Sequence, residues 1–186
     1  SKGHACLALY SALAEKKILK KKELETFESD GSKLLGHPII DKLSGIEFST
    51  GSLGMGLALG VGVALAAKKK RKKYKTYVIL GDGECNEGSI WESVLSACHF
   101  KLDNMIIIVD RNNFQQTGKN SFIMDLKNIK DKFKSFGCET DEIDGHNIKK
   151  IYKTLIYKKS NNKPKVIIAN TIKGKGFKMF ENNNNW

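Results

Sequence analysis

A chain of 186 residues can bury one α/β core, and a composition of 40% hydrophobic and 28% charged residues excludes global disorder. The net charge of +12 gathers in two lysine-rich runs, at 16–22 and 68–75. Neither has the repeated aromatics of a base-stacking platform, so a solvated face is favoured over a nucleic-acid or membrane patch. Four separated cysteines without Cys-x-x-Cys spacing argue against a zinc site and a disulfide framework, and make a reducing cytoplasmic setting the simplest one.

Residues 4–15 carry Leu7, Leu9, Tyr10 and Leu13 at helical spacing. A short helix is expected at 21–27 and a loop-rich stretch at 29–47. A further helix should run from about Gly54 to Lys69. Its apolar part, 53–67, is about 15 residues long, short of the roughly 20 that a membrane span needs. Gly54, Gly56, Gly60 and Gly62 suggest that other backbone approaches this segment closely.

From there the pattern is regular. Strands are expected at 76–80, 105–109, 139–143 and 164–169, with helices at 90–100, 126–136 and 148–158. Residues 110–118 read as a polar loop, and 144–147 as the entry turn of the last helix. The strand at 105–109 is apolar without alternation, as expected when both faces of a sheet are covered. The alternation predicts an α/β fold: a three-layer parallel sheet with helices on both faces. No repeat or internal boundary is visible, so 1–186 reads as one domain. Ser1 replaces an initiating methionine and 182–186 stops abruptly, so both ends are read as incomplete. No signal peptide is visible.

Open parallel sheets bind ligands beyond the carboxyl ends of their strands. Two such ends carry unusual chemistry: Leu80-Gly81-Asp82-Gly83-Glu84 and Val109-Asp110-Arg111-Asn112-Asn113. One βαβ unit would make Asp82 and Asn112 neighbours. A carboxylate and an amide oxygen are hard ligands suited to Mg²⁺, which completes its shell with a carbonyl, water and phosphate oxygens. Gly81 and Gly83 would let backbone N–H groups approach an anion. Alone, GDG is most often a turn; with Asn112 at this separation it points to a metal-held diphosphate.

This spacing resembles the thiamine-diphosphate motif, and the surrounding residues are similar to the N-terminal part of transketolases over nearly the whole chain. Ser1-Lys2-Gly3-His4-Ala5 resembles the family's SxGHA segment, and Gly36-His37-Pro38 its GHP. Ser49-Thr50-Gly51-Ser52-Leu53-Gly54-Met55-Gly56 resembles TTGxLGxG. Gly81 to Gly88 matches GDGxxxEG. Thr171-Ile172-Lys173-Gly174-Lys175-Gly176 resembles the segment before the last cofactor-contacting histidine.

The resemblance implies the diphosphate-binding module of the thiamine-diphosphate fold. Asp82, Asn112 and the Phe114 carbonyl would ligate Mg²⁺ (or Ca²⁺ or Mn²⁺). Gly83 would donate its N–H to the diphosphate. Gly51 and Leu53 would touch the aminopyrimidine through backbone, and Gln116 would lie near the thiazolium. His4 and His37 would line the substrate channel, and Glu87 would join a carboxylate network at a subunit interface. Their bland readings are a helix-start histidine, a loop histidine before proline, and an exposed helix-entry charge. His99 and His146 match no catalytic motif and read as structural.

The family's pyrimidine-binding domain, with its cofactor-protonating glutamate, does not follow in this sequence. The resemblance therefore implies the N-terminal subunit of a split transketolase. The partner would be a C-terminal subunit, two of each forming an α2β2 heterotetramer. The reaction would move a two-carbon ketol unit from a ketose, usually phosphorylated, to an aldose. Two positions depart from the family: Gln116 replaces an aliphatic residue, and Thr117 a frequent aspartate. Rival readings are a ketol transferase for an unusual sugar, another thiamine-diphosphate enzyme (a deoxyxylulose-phosphate synthase or a 2-oxoacid dehydrogenase subunit), and a non-catalytic protein keeping the fold.

Overall fold

The computed structural model describes residues 1–157 and 162–184. It divides into two compact units, Ser1–Gly56 and Leu57–Trp186. The division falls inside the continuous apolar run at 53–67, where the sequence carries no mark of a boundary.

The first unit holds helix α1 (Cys6–Glu15) and three 3-10 turns, Gly3–Ala5, Lys21–Thr26 and Lys42–Ser44. Its core is small: Cys6, Tyr10, Ala14, Leu19, Leu34 and Ile46. Residues 6, 10 and 14 recur at one-turn spacing, so a single stripe of α1 is buried. The apolar positions read from sequence are partly wrong here. Leu7 and Leu9 are 55% and 39% exposed, while small Cys6 and Ala14 face inward. The Tyr10 hydroxyl donates to the Leu35 carbonyl at 2.7 Å, anchoring the irregular stretch to α1. In the tight loop after 40, Asp41 accepts from Leu43 N at 3.1 Å and from Ser44 Oγ at 2.6 Å.

The second unit follows helix α2 (Met55–Lys69) with strands β1 (Thr76–Gly81), β2 (Met105–Arg111), β5 (Glu139–Asp144) and β6 (Lys165–Asn170). Between them lie α3 (Gly88–His99), a small hairpin of β3 (Phe114–Gln115) and β4 (Gly118–Lys119), α4 (Asn120–Ile123), α5 (Ile129–Ser135) and α6 (Ile148–Ile156). The four long strands form a parallel sheet in the order β1-β2-β6-β5.

Strand pleat sorts the side chains. Met105, Ile107 and Val109 of β2 and Val166 and Ile168 of β6 join Leu57 and Ala64 of α2, Ile90 and Val94 of α3, and Phe133 of α5. Ile106, Ile167, Ile143 and Ala169 face the other way, against Ile151 and Leu155 of α6. The sheet thus has helices on both faces, and its central strands lack alternation for that reason. The edge strand β1 is the exception: Tyr77 and Ile79 are about half exposed. Gly60 of α2 explains one of the glycines. A Cβ there would come within 2.5 Å of Val78 Cγ2, so the helix backbone packs directly on β1.

Several boundaries differ from the sequence reading. The helix expected at 126–136 starts only at Ile129, because Asn128 caps it by accepting from Asp131 N at 3.2 Å. The polar loop at 110–118 contains the end of β2 and the β3–β4 hairpin, and α4 was not foreseen. The last helix ends at Ile156; the part of its expected span at Lys158 lies outside the described residues. No described helix is long and apolar enough to cross a membrane.

Candidate functional site

The tips of β1 and β2 lie side by side. Gly81 pairs with Asp110, and Asp82 N donates to the Asp110 carbonyl at 3.2 Å. Asp82 is almost fully buried. Its Oδ1 accepts from Gly83 N at 2.9 Å, and its Oδ2 from Asn113 N at 2.6 Å. The carboxylate therefore spans both strand tips. Asn112 Oδ1 accepts from Phe114 N at 2.9 Å, and Asn113 takes a left-handed φ of 64° that turns the chain into the hairpin.

Glu84 adds a second buried carboxylate, whose Oε2 accepts from Gly81 N at 3.1 Å. Burial, aided by the charges of Glu84 and Asp82, pushes the Cys85 thiol well up, so it remains protonated. Beside this tip, Arg111, Lys119 and Lys127 line a cavity of about 270 Å³ together with Asp82 and Asp125. Gly83 cannot be replaced without movement: a Cβ there would lie 2.8 Å from Gln115 Cγ.

These residues fit a metal-held anion. Two buried carboxylates at one strand tip place negative charge where a divalent cation would offset it. Asp82 and Asn112 present oxygen donors on adjacent tips, and the backbone N–H of Gly83 lies against the Asp82 carboxylate. Phe114 begins the hairpin next to Asn112, with Lys173 Nζ 6.0 Å from its ring centre. Gln116 sits in the hairpin turn. Its carbonyl and that of Gln115 both accept from Asn184 Nδ2 at 3.2 Å, and Asn184 Oδ1 accepts from Lys173 Nζ at 3.0 Å. Glu87 is exposed at the entry of α3 without capping it. His146 Nε2 accepts from Ile172 N at 2.9 Å, a structural contact, and His99 packs edge-on to Phe100.

In the first unit, three of the motif segments converge. A Cβ on Gly3 would lie 2.8 Å from Gly51 N, 3.0 Å from His37 Cδ2 and 3.0 Å from Thr50 Oγ1. Thr50 N donates to the Pro38 carbonyl at 2.9 Å. Gly51 has φ of 130°, a conformation suited to glycine. His4, His37 and Leu53 are exposed around this junction.

The profile of the family described as "Transketolase, thiamine diphosphate binding domain" matches residues 1–185. The chain belongs to the transketolase family. The chain is 44% identical over its full length to an apulose-4-phosphate transketolase subunit of Actinobacillus succinogenes, of which it covers 67%. It is 40% identical, over 97% of its length, to the 6-deoxy-6-sulfo-D-fructose transketolase subunit SqwG of a Clostridium species, of which it covers 66%. The chain thus spans about two thirds of the length of these transketolase subunits. Among solved structures, the transketolase of Campylobacter jejuni superposes with a TM-score of 0.90 at 37% identity, over 99% of this chain and 30% of that one.

Sequence reasoning missed Glu84, which the motif leaves unspecified, and Asn184, which sits in an asparagine-rich tail. A carboxylate two residues after Asp82 on a buried turn was a signal for the first. Nothing in the sequence singles out the second.

Proposed function

We propose that the chain is the diphosphate-binding part of the N-terminal subunit of a two-chain transketolase. The observation that carries this reading is the adjacency of the β1 and β2 tips, where the buried Asp82 carboxylate bonds to backbone from both. Asp82, Asn112 and the Phe114 carbonyl would hold Mg²⁺, or Ca²⁺ or Mn²⁺ in its place. Gly83 N–H would bind the diphosphate, while Gly51 and Leu53 would contact the aminopyrimidine through backbone. Gln116 would lie near the thiazolium.

Thiamine diphosphate, when bound, supplies the carbon nucleophile that cleaves and forms the carbon–carbon bonds. This chain's residues anchor and orient. Asp82 accepts backbone hydrogen bonds from Gly83 and Asn113, which fix the direction of its carboxylate. His4 and His37 would donate to sugar hydroxyls or carry protons at the substrate oxygens. Glu87, exposed at the α3 entry, would join a carboxylate network with a partner. That partner would be the pyrimidine-binding C-terminal subunit in an α2β2 heterotetramer, in a cytoplasmic setting.

The reaction would transfer a two-carbon ketol unit from a ketose, usually phosphorylated, to an aldose. Two relatives named for apulose 4-phosphate and for a sulfo-sugar favour a specialised sugar over a general pentose substrate. The test is calorimetry of the co-purified complex with Mg²⁺ and thiamine diphosphate. Asp82→Ala should weaken binding by at least about 100-fold, beyond the 10–100-fold that loss of an outer-shell partner costs. Unchanged affinity in a folded Asp82→Ala complex would refute the assignment.

A further inference from the structure

The four cysteines stand far apart in sequence, yet two of them meet. Cys98 Sγ and Cys138 Sγ are 3.4 Å apart, and both are free thiols. A disulfide bond is about 2.05 Å long, so closure needs a movement of little more than an ångström. Both backbones are held by regular structure. Cys98 lies in the last turn of α3, and Lys101 N donates to its carbonyl at 3.0 Å. Cys138 N donates to the Phe133 carbonyl at 3.2 Å, after a turn at Gly137 with φ of 101° and just before β5.

We propose that Cys98 and Cys138 form a reversible disulfide, a redox modification site separate from the cofactor site, when the protein meets a low-molecular-weight disulfide of the glutathione class. Cys98 is half-buried and Cys138 buried, so Cys98 meets the oxidant first. The hydrogen bond between the two sulfurs holds the Cys98 thiol below its ordinary value; burial opposes this and the Lys163 ammonium assists it. That same bond, with burial, keeps Cys138 protonated until the first step is complete.

In that step the Cys98 thiolate attacks one sulfur of the oxidant, forming a mixed disulfide and releasing one thiol. Cys138 sulfur then attacks Cys98 sulfur, its proton passing to the second thiol that leaves. Two protein thiols are oxidised and one external disulfide is reduced to two thiols. The other cysteines do not compete within this pair: Cys85 is fully buried and held protonated, and Cys6 lies in the first unit's core.

The bond would staple α3 to the start of β5, closing a loop of 40 residues' separation that contains β2, Asn112 and Phe114. Cross-links over loops of this length restrict the unfolded chain strongly.

The test treats the full chain with glutathione disulfide, then denatures it and alkylates the remaining thiols. Two of the four thiols should escape alkylation, and a cross-linked peptide should join Cys98 to Cys138. Tm should rise by roughly 5–15 °C and return on adding dithiothreitol. Cys98→Ser should abolish both the cross-link and the shift. Cys138→Ser should stop at a glutathione adduct on Cys98; the wild-type and Cys98→Ser arms stand without this buried substitution. Four alkylatable thiols in the treated wild type, a cross-link through Cys6 or Cys85, or a Cys98–Cys138 bond that leaves Tm unchanged would overturn the proposal.

Discussion

The two units of the molecule carry their chemistry in different ways. The second is a regular parallel sheet whose strand tips deliver Asp82 and Asn112, so its site is a consequence of register. The first has one α-helix wholly its own and a six-residue core, and its motif segments meet where Gly51 backbone and the His37 and Thr50 side chains crowd Gly3. A sheet tolerates change away from its tips; a junction crowded around a glycine tolerates almost none at its own centre.

That contrast can be pressed by substitution. Phe133, fully buried beside Trp91, is part of the second unit's core. Phe133→Ala should cost about 3–5 kcal/mol in chemical denaturation. In the first unit, Gly3→Ala inserts a methyl 2.8 Å from Gly51 N. It should cost about 1–3 kcal/mol. Hydrogen exchange should accelerate in residues 1–56 more than in β2 and β6; uniform acceleration would erase the distinction between the units. Tyr10→Phe removes only the hydroxyl that donates to Leu35, and about 1 kcal/mol should be lost with the helix itself intact by circular dichroism.

The smallest effect belongs to Glu142 at the sheet's other edge. Its carboxyl is held below the usual value by the Asn170 side-chain hydrogen bond, with help from the Lys130 and Arg111 charges against a small burial cost. A depressed folded pKa contributes stability above the ordinary value and loses it as pH falls through the folded one. The site is largely open to solvent, so Glu142→Gln should cost only a few tenths of a kcal/mol at pH 7. The gap between variant and wild type should close as the pH is lowered beneath about 4.5.

What could be read from sequence follows the same division. The apolar runs of β2 and β6 announced buried strands because their burial leaves no polar face, whereas the long run in α2 buries one stripe and leaves Met55 and Leu59 exposed. The Asp82–Asn112 adjacency followed from a βαβ unit alone. The start of α5 was misplaced because Leu126 is apolar enough to extend a helical pattern, while the cap at Asn128 decides otherwise. In α1 the large Leu7 and Leu9 dominate the apolar pattern, although small Cys6 and Ala14 carry the buried stripe. Contacts between polar or irregular segments, such as Asn184 on the hairpin or Cys98 on Cys138, leave no periodic trace. They depend on where the chain returns after 40 or more residues.

The outer margin of β1 has a further consequence. No described strand pairs with it, and Tyr77 and Ile79 stand half open beside it. An uncovered strand border of this kind invites a second copy to add on, the first step toward aggregates. Exposed Lys72, Lys73 and Lys75 immediately precede β1, and lysines beside a strand border disfavour such addition.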